Sequence, residues 1–329
     1  MPDNFKALVI NQDGENFTRE VKEINKNFLK HGDVLVKVDY SGLNFKDALI
    51  LKNGARLVKE FPHIPGIDFS GKVEESQHDK FKPGDEIILT GWRVGEIYYG
   101  GYSQYAKVNG DFLVKKPKNL SSKQAMILGT AGLTALSCSF TTKTAKEELL
   151  LGEKVENVIV TGASGGVGSI AVMILNKLGC NVTAVTGKND NIEYLKSIGA
   201  KNVINTNELT KDARPLDKGL WDGAVDTVGG KVLENILSQT KDAGIVASCG
   251  NASDIKLNTL SHGSNVSLCI ILRALLCGLF NMLLKLLCRQ LAIFVNVPTP
   301  ADIIGGVAFV DTTTSSAEHN AATSSISSY

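Results

Sequence analysis

A glycine-rich segment near the middle of the chain, VTGASGGVGSIAV at 160–172, constrains the fold more than any other feature. It follows the continuous apolar stretch NVIVT. After it, apolar residues recur at helical spacing until Gly179, a residue type that commonly ends a helix. A strand, a glycine turn and a helix in this order predict one βαβ unit of a larger domain.

Downstream of the glycine turn, two sequence patterns alternate. Short apolar runs predict buried strands, and longer segments with apolar residues at helical spacing predict helices. The predicted strands are NVTAVT at 181–186, NVIN at 202–205, GAVDTV at 223–228 and GIVASCG at 244–250. The predicted helices are NIEYLKSIG and KVLENILSQT. This alternation predicts an α/β fold with a doubly wound parallel sheet.

The first 120 residues follow a different pattern, typical of strands and turns. In VLVKVDYSG at 34–42, apolar and polar residues come close to alternating, as in a half-buried strand. Further strands are predicted in IDFSGKVEE, DEIILTG and YSQYAKV, separated by turns rich in glycine and proline. The first half of the chain is therefore predicted to be a β-rich barrel-like or sandwich domain.

Composition excludes several classes of function. A chain of 329 residues is long enough for two domains, and a net charge of +1 gives no basic field for nucleic acid. The first residues contain no apolar stretch typical of a signal peptide. The six cysteines are unevenly spaced, which favours free thiols in a reducing compartment and a cytoplasmic location.

The spacing of the glycines indicates what the turn binds. Gly166 to Ala171 fit G-x-G-x-x-A, and Gly162 and Gly165 precede them. Glycines let the backbone approach a pyrophosphate, and the helix N-terminus presents N–H groups to it. No Gly-Lys-Ser/Thr follows, which excludes a P-loop. The alternative is a tight strand–helix turn without a ligand. The predicted dinucleotide contacts in this segment are Gly162, Ser164, Gly165, Gly166, Val167 and Gly168.

The end of the second predicted strand favours NADPH over NADH. An NAD site usually has an acidic residue there to bind the ribose hydroxyls. Here the strand ends in Thr186, Gly187 and Lys188, and no acid occurs before Asp190. A hydroxyl and an ammonium group suit a 2′-phosphate, so Thr186 and Lys188 are predicted cofactor contacts. The alternative is that Lys188 is an ordinary solvated lysine.

The same turn also fits the G-x-S-x-G pattern of a hydrolase, with Ser164 as the nucleophile. A catalytic triad would then need His262 or His319, the only histidines downstream. The dinucleotide pattern explains Gly168, which a nucleophile turn does not require. We therefore favour dinucleotide binding.

Zinc catalysis lacks its usual ligands in the first half of the chain. Thiolate and imidazole groups bind catalytic zinc, but no cysteine precedes Cys138. The histidines of the first domain are His31, His63 and His78, and no H-E-x-x-H or C-x-x-C element is present. We expect no zinc, and we interpret His63 as a packing or turn residue.

Several stretches together resemble the zinc-free quinone oxidoreductase branch of the medium-chain dehydrogenase/reductase superfamily, in its YhdH/YhfP family, which includes NADPH-dependent acrylyl-CoA reductases. The matching stretches are SGLNFKDAL at 41–49, PGIDFSGKV at 65–73, GDEIILTGWRVGE at 84–96, GGYSQYAKVNGDFLV at 100–114, LGTAGLTAL at 128–136, the glycine turn, EYLKSIGA and AVDTVGG. The resemblance implies a GroES-like catalytic domain over 1–123, to which the family would add about 299–329. It also implies a Rossmann domain over 124–298.

The resemblance also implies which residues surround the nicotinamide. Asn44 and Asp47 would lie beside it as the catalytic residues, with Asn44 in the region where zinc relatives have a metal-binding cysteine. Phe45 would pack against the cofactor, and Gly250 would belong to a loop over the nicotinamide ring. The hydroxyls that would face the nicotinamide and ribose are those of Thr130 and Thr134. From the residues alone, Asp47 also fits a helix-capping acid.

The implied reaction is 1,4-reduction of an activated alkene or a quinone by hydride from NADPH, without zinc. The implied partners are a small-molecule acceptor (a quinone, an enone or an acyl-CoA alkene) and, in the family, a second copy of the chain. The final proton would come from water or through Asp47. No nucleic acid or membrane partner is expected.

Two segments depart from the family pattern. Residues 137–154 differ before the first Rossmann strand, and nothing matches after about Leu260, so dimerisation stays open. Charged residues interrupt the apolar stretch 266–297, which favours buried or amphipathic helices over a membrane span. In that stretch we interpret Cys269, Cys277 and Cys288 as small apolar core residues. The tail 312–329 is predicted to be disordered. An NADPH-binding protein without catalysis is the second function considered.

Overall fold

The computed structural model describes residues 1–149, 154–211, 219–253, 267–270 and 310–311. These residues divide into two compact units. The first contains Met1–Thr130 and the short strand near residue 310, and the second contains the described residues from Ala131 to Ile270.

The structure contains fourteen strands and five α-helices in its described part. The strands are β1 (Asn4–Asp13), β2 (Asn16–Asn25), β3 (Val34–Ser41), β4 (Asp68–Ser76), β5 (Glu86–Thr90), β6 (Tyr105–Val108), β7 (Val114–Lys115), β8 (Asn157–Val160), β9 (Asn181–Thr186), β10 (Asn202–Asn205), β11 (Trp221–Asp226), β12 (Thr240–Ser248), β13 (Ser267–Ile270) and β14 (Val310–Asp311). The helices are α1 (Phe45–Asn53), α2 (Ser122–Leu149), α3 (Gly166–Lys177), α4 (Ile192–Ser197) and α5 (Gly230–Gln239).

The first unit is built on antiparallel strands. Strands β1 and β2 form a hairpin, and β14, β3, β4, β5 and β7 form a sheet in that order, with β6 also paired to β3. Both faces of β3 are covered: Val34 and Val36 pack into one apolar cluster, and Leu35 packs into another with Phe5. The predicted β-rich first domain is confirmed by these antiparallel strands.

The second unit contains one parallel sheet with the strand order β10-β9-β8-β11-β12-β13. This is the doubly wound order. Strands β9 and β10 are added on one side of β8, and strands β11 to β13 are added on the other side, so the order of addition reverses between β8 and β11. Ile159, Ala224 and Val246 are fully buried on the central strands, where they pack with apolar residues of α5. Ligands of such sheets bind outside the carboxyl ends of the strands, at the point where the order reverses. The glycine turn, which follows β8, lies at that point.

Residues 137–149 depart from the family pattern in sequence, but they are helical and form the second part of α2. Helix α2 is interrupted at Gly129, whose φ is +43° and ψ is −146°. Ser122–Lys143 is long and apolar enough to cross a membrane, but it is mostly buried within the protein, as a core helix would be.

Within the stretch 266–297, the prediction of helix is wrong for Ser267–Ile270, which instead form β13 beside β12. Strand pairing with Ile245–Ser248 competes with local helical spacing there, and an apolar run of this length does not distinguish the two. The remainder of this stretch, Cys277, Cys288 and the predicted disordered tail lie outside the described residues.

Candidate active site

The turn between β8 and α3 is too tightly packed for side chains at two of its glycines. Gly162 has a φ of +55°, and a Cβ added there would lie 2.3 Å from Thr227 Oγ1. A Cβ on Gly168 would lie 2.3 Å from the carbonyl oxygen of Gly162. The other two glycines are less crowded, since a Cβ would have its nearest contact at 3.2 Å on Gly165 and at 3.4 Å on Gly166. The fold therefore requires glycine at Gly162 and Gly168, while Gly165 and Gly166 are less constrained by protein atoms.

The N-terminus of α3 presents backbone N–H groups without a side-chain cap. Gly165 is the N-cap residue, it is exposed, and no side chain caps the helix there. Val167, in the first turn, is half-buried. Uncapped N–H groups at the positive end of a helix dipole form a binding site for a phosphate. The arrangement fits the pyrophosphate of a dinucleotide.

The structure brings the predicted residues at the end of β9 together with the glycine turn. The hydroxyls of Ser164 and Thr186 lie 3.1 Å apart. Thr186 Oγ1 also accepts a hydrogen bond from the backbone N–H of Lys188 at 3.1 Å. Thr186 is buried and Lys188 is exposed. Ser164 is thus engaged with Thr186, and His262 and His319, which a hydrolase would need, lie outside the described residues.

Asp226, at the end of β11, is a buried residue that sequence reasoning missed. Its carboxylate accepts hydrogen bonds from Thr161 Oγ1 at 2.7 Å, Gly229 N at 3.0 Å and Ser248 Oγ at 3.2 Å. Burial raises the pKa of this carboxyl above its ordinary value, although the hydrogen bonds oppose that shift. Asp226 links the carboxyl ends of β8, β11 and β12.

Thr227, the residue after β11, contacts two of the predicted cofactor segments. Gly162 lies against its side chain, and a Cβ on Gly250 would lie only 2.4 Å from its carbonyl oxygen. The glycine turn and the loop containing Gly250 therefore lie on either side of Thr227, at the reversal point of the sheet.

Asp47, in the first turn of α1, is completely buried. Its Oδ2 accepts from the backbone N–H of Asn44 at 2.9 Å, and its Oδ1 accepts from that of Ile67 at 3.0 Å. Burial raises the pKa of Asp47 to about 7, and the negative charge of Asp68 adds to the shift. The carboxyl caps α1 and holds the segment before β4, as the capping interpretation predicts.

Asp68, the first residue of β4, joins two predicted site residues, and sequence reasoning missed it as well. It accepts from Asn44 Nδ2 at 3.0 Å and from Thr130 Oγ1 at 2.8 Å. The backbone N–H groups of Thr130 and Gly42 also donate to it, at 2.9 and 3.0 Å. Asn44 and Thr130, which are 86 positions apart in the chain (130 minus 44), thus share one carboxylate.

The two residues that follow Asn44 differ in their surroundings. Phe45 is 67% exposed, so its ring is accessible at the surface. Lys46 forms an ion pair with the largely buried Glu96 at 2.8 Å. Phe45 is therefore an exposed apolar side chain directly after Asn44.

Two further predicted positions are buried. Thr134 lies within α2. His63 pairs with Ile10 through two backbone hydrogen bonds of 2.9 Å, and its ring lies edge-on to Tyr99. Burial lowers the pKa of His63, which favours the neutral ring. These contacts fit the packing role that we predicted for His63.

Comparison with known proteins places this geometry in a family. The "Zinc-binding dehydrogenase" profile matches residues 166–275, and the "Alcohol dehydrogenase GroES-like domain" profile matches residues 30–118. The chain is 45% identical over 255 residues to the probable acrylyl-CoA reductase AcuI of Escherichia coli, covering 78% of this chain and 77% of the relative. The chain belongs to the YhdH/YhfP family of medium-chain dehydrogenases/reductases.

Other YhdH/YhfP proteins are similar over most of their length. The putative quinone oxidoreductase YhfP of Bacillus subtilis is 44% identical over 247 residues, covering 75% of this chain and 74% of that protein. The crystal structure of the Salmonella enterica yhdH oxidoreductase in complex with NADP has a TM-score of 0.78 and 40% identity, covering 87% of this chain and 88% of that one. That of Bacillus subtilis yhfP with NAD bound has a TM-score of 0.80 and 38% identity, with 88% of each chain covered.

Membership of the YhdH/YhfP family confirms the predicted resemblance and the predicted pair of domains, GroES-like and Rossmann-type. It makes the chain an NAD(P)H-dependent oxidoreductase of the acrylyl-CoA reductase and quinone oxidoreductase type. Among the described residues, no group of three His, Cys, Asp or Glu side chains is arranged to hold a metal ion.

Proposed function

We propose that this protein reduces an activated C=C bond or a quinone with NADPH, by hydride transfer without zinc. Its relatives include proteins named as acrylyl-CoA reductases and a quinone oxidoreductase, and solved relatives contain NADP or NAD. The observation that carries the proposal is the fixed amide of Asn44, whose NH2 group donates to Asp68 and keeps a second hydrogen.

The proposed cofactor contacts lie at the carboxyl ends of β8, β9 and β12. The uncapped N–H groups at Gly166 and Val167, which follow the N-cap residue Gly165, would bind the pyrophosphate. Thr186 and Lys188 would bind the 2′-phosphate of NADPH, and Gly250 would border the nicotinamide. NADPH, when bound, supplies the hydride. Gly165 and Gly166 are the less crowded glycines of the turn, which supports the approach of a ligand on their side.

Asn44 and Phe45 would contact the reacting groups. As hydride reaches the electrophilic carbon, negative charge develops on the carbonyl oxygen of the acceptor. The remaining N–H of Asn44 would donate to that oxygen, and a preorganised donor stabilises such a charge. The exposed ring of Phe45 would cover one side of the reacting groups.

The proton that completes the product has two candidate sources, water and Asp47. Both oxygens of Asp47 accept backbone N–H groups, and the side chain has no exposed surface. This geometry supports a positioning role for Asp47 and supports water as the proton source.

A second function, NADPH binding without catalysis, is kept because the alignment with the Escherichia coli relative covers 78% of this chain rather than all of it. Oxidation of NADPH, followed by absorbance with acrylyl-CoA and with p-benzoquinone, separates the two functions. Turnover of either acceptor that withstands a chelator supports the proposed reaction. Tight NADPH binding without turnover of either acceptor would leave the second function.

A further inference from the structure

The carboxylate of Asp68 is 1% exposed and receives four donors from three segments of the first unit. Gly42, after β3, donates to Oδ1. Asn44, at the start of α1, and Thr130, in α2, donate to Oδ2. One buried group therefore sets the relative positions of two side chains expected to contact substrate or cofactor.

The surrounding backbone is shaped to this carboxylate. A Cβ on Gly42 would lie 2.7 Å from Asp68 Oδ1, and a Cβ on Gly129 would lie 2.8 Å from Oδ2. Gly129 also has the positive φ that interrupts α2. Because both glycines approach the oxygens so closely, a side chain at either position would displace Asp68 or its partners.

The hydrogen bonds restrict what Asn44 and Thr130 can offer to a ligand. A carboxylate oxygen only accepts, so the NH2 group of Asn44 must face Asp68, and one N–H is left to donate elsewhere. Thr130 has a single hydroxyl hydrogen, and it is used in the bond to Asp68. Toward any ligand, the Thr130 hydroxyl is therefore an acceptor only.

We propose that Asp68 is a positioning residue that fixes Asn44 as the donor to the developing oxyanion and Thr130 as an acceptor for a ribose hydroxyl or the nicotinamide carboxamide. This inference rests on the proposed function. Asp68 acts through its two partners and is not itself a catalytic group. Its carboxylate is required because an amide would turn a donor toward either Gly42 or the Asn44 and Thr130 pair.

The test is Asp68→Asn, which keeps the size of the side chain. We expect kcat with acrylyl-CoA or p-benzoquinone to fall by about 10-fold or more, since small misplacements of reacting groups are costly. The dissociation constant of NADPH, measured by fluorescence, should change by less than about threefold, because the phosphates bind at the separate glycine turn. If Asp68 only stabilised the fold, its substitution would not lower kcat while leaving the dissociation constant of NADPH unchanged.

A double-variant cycle identifies the route. If Asp68 acts through Asn44, adding Asp68→Asn to Asn44→Ala should lower kcat by no more than about twofold beyond Asn44→Ala alone, whereas independent effects multiply. The matched control is Asp222→Asn in the second unit. Asp222 is also a buried carboxylate, which accepts from two backbone N–H groups and from Lys241, and its loss should affect stability but not kcat.

A spectroscopic readout needs neither substrate nor cofactor. In protein labelled with ¹⁵N-asparagine, the side-chain signals of Asn44 are assigned by their loss in Asn44→Ala. One of its two amide protons should be shifted downfield by Asp68, and that shift should vanish in Asp68→Asn. Unchanged Asn44 signals, or an Asp68→Asn enzyme with wild-type kcat, would overturn the inference. A wild-type protein that reduces neither acceptor would instead refute the proposed function.

Discussion

The hydroxyls of Ser164 and Thr186 lie 3.1 Å apart and join the glycine turn to the end of β9. Ser164 precedes the uncapped N-terminus of α3, and Thr186 accepts the backbone N–H of Lys188. The segment expected to bind pyrophosphate and the segment expected to bind the adenosine ribose are therefore fixed to each other. Lys188 is exposed, so its ammonium group can move to contact a bound phosphate.

Lys188→Ala should remove most of the preference for NADPH. A charge-assisted bond from the ammonium group to the 2′-phosphate contributes about 1.5–3 kcal/mol, so the dissociation constant of NADPH should rise at least ~10-fold. That of NADH should barely change. Fluorescence titration measures both, and Lys196→Ala, another exposed lysine of the same unit, is the control. Equal affinities for the two cofactors in the unmutated protein would contradict the prediction.

Gly168→Ala should damage the cofactor turn itself. Its Cβ would lie 2.3 Å from the carbonyl oxygen of Gly162, so the turn must shift. We expect a loss of stability of ~1–3 kcal/mol from overpacking, together with weaker NADPH binding. Gly187→Ala is the matched control, since its Cβ would have its nearest contact at 3.7 Å, on Thr206. Urea unfolding compares the two variants. Equal stability of both would argue against the packed turn.

Asn44→Ala should lower kcat by about 100-fold, the usual loss when one donor to an oxyanion is removed. The affinity for NADPH should stay within about threefold of wild type, because the phosphates bind at the α3 N-terminus. Asn11→Ala, an exposed asparagine on β1, serves as the control. Unchanged turnover in Asn44→Ala would show that the active site lies on other residues.

Asp47 should make stability fall as pH rises through the weakly acidic range. Its pKa is raised from 3.8 to about 7, so between these values the folded state holds a proton that the unfolded state has lost. Asp47→Asn is neutral at every pH and escapes this effect. Its free energy of unfolding relative to wild type should therefore rise by about 2–3 kcal/mol between pH 5 and pH 8. Urea unfolding of both proteins at the two pH values measures it, and a constant difference would contradict the raised pKa.

Local patterns predicted the parts of the site that are local in sequence. The glycines from Gly162 to Gly168 and the strand end at Thr186 are recognisable because their spacing alone determines the turn and the βα unit. The family resemblance added Asn44 and Asp47, which share the first turn of α1 with the exposed Phe45.

Asp68 and Asp226 were missed because their partners are distant in sequence. Asp68 binds Asn44 across 24 positions and Thr130 across 62, and Asp226 binds Thr161 across 65. No short-range pattern reports such a contact. A usable signal existed, since each is an acid at one end of an apolar strand, where an unpaired charge would be costly to bury. Strand β13 was missed for a related reason, because pairing with β12 decided its conformation.

The bonds that Asp226 makes have a consequence for the energetics of ligand capture. Thr161, Gly229 and Ser248 already converge on one carboxylate, so the strand ends around the crevice do not need a ligand to order them. A preordered crevice loses little conformational entropy when it is filled, and more of the contact energy then appears as affinity. Such a crevice also tolerates substitutions of exposed residues at its rim, such as Lys188. The cofactor that is selected can therefore change while Asp226 and its partners keep their positions.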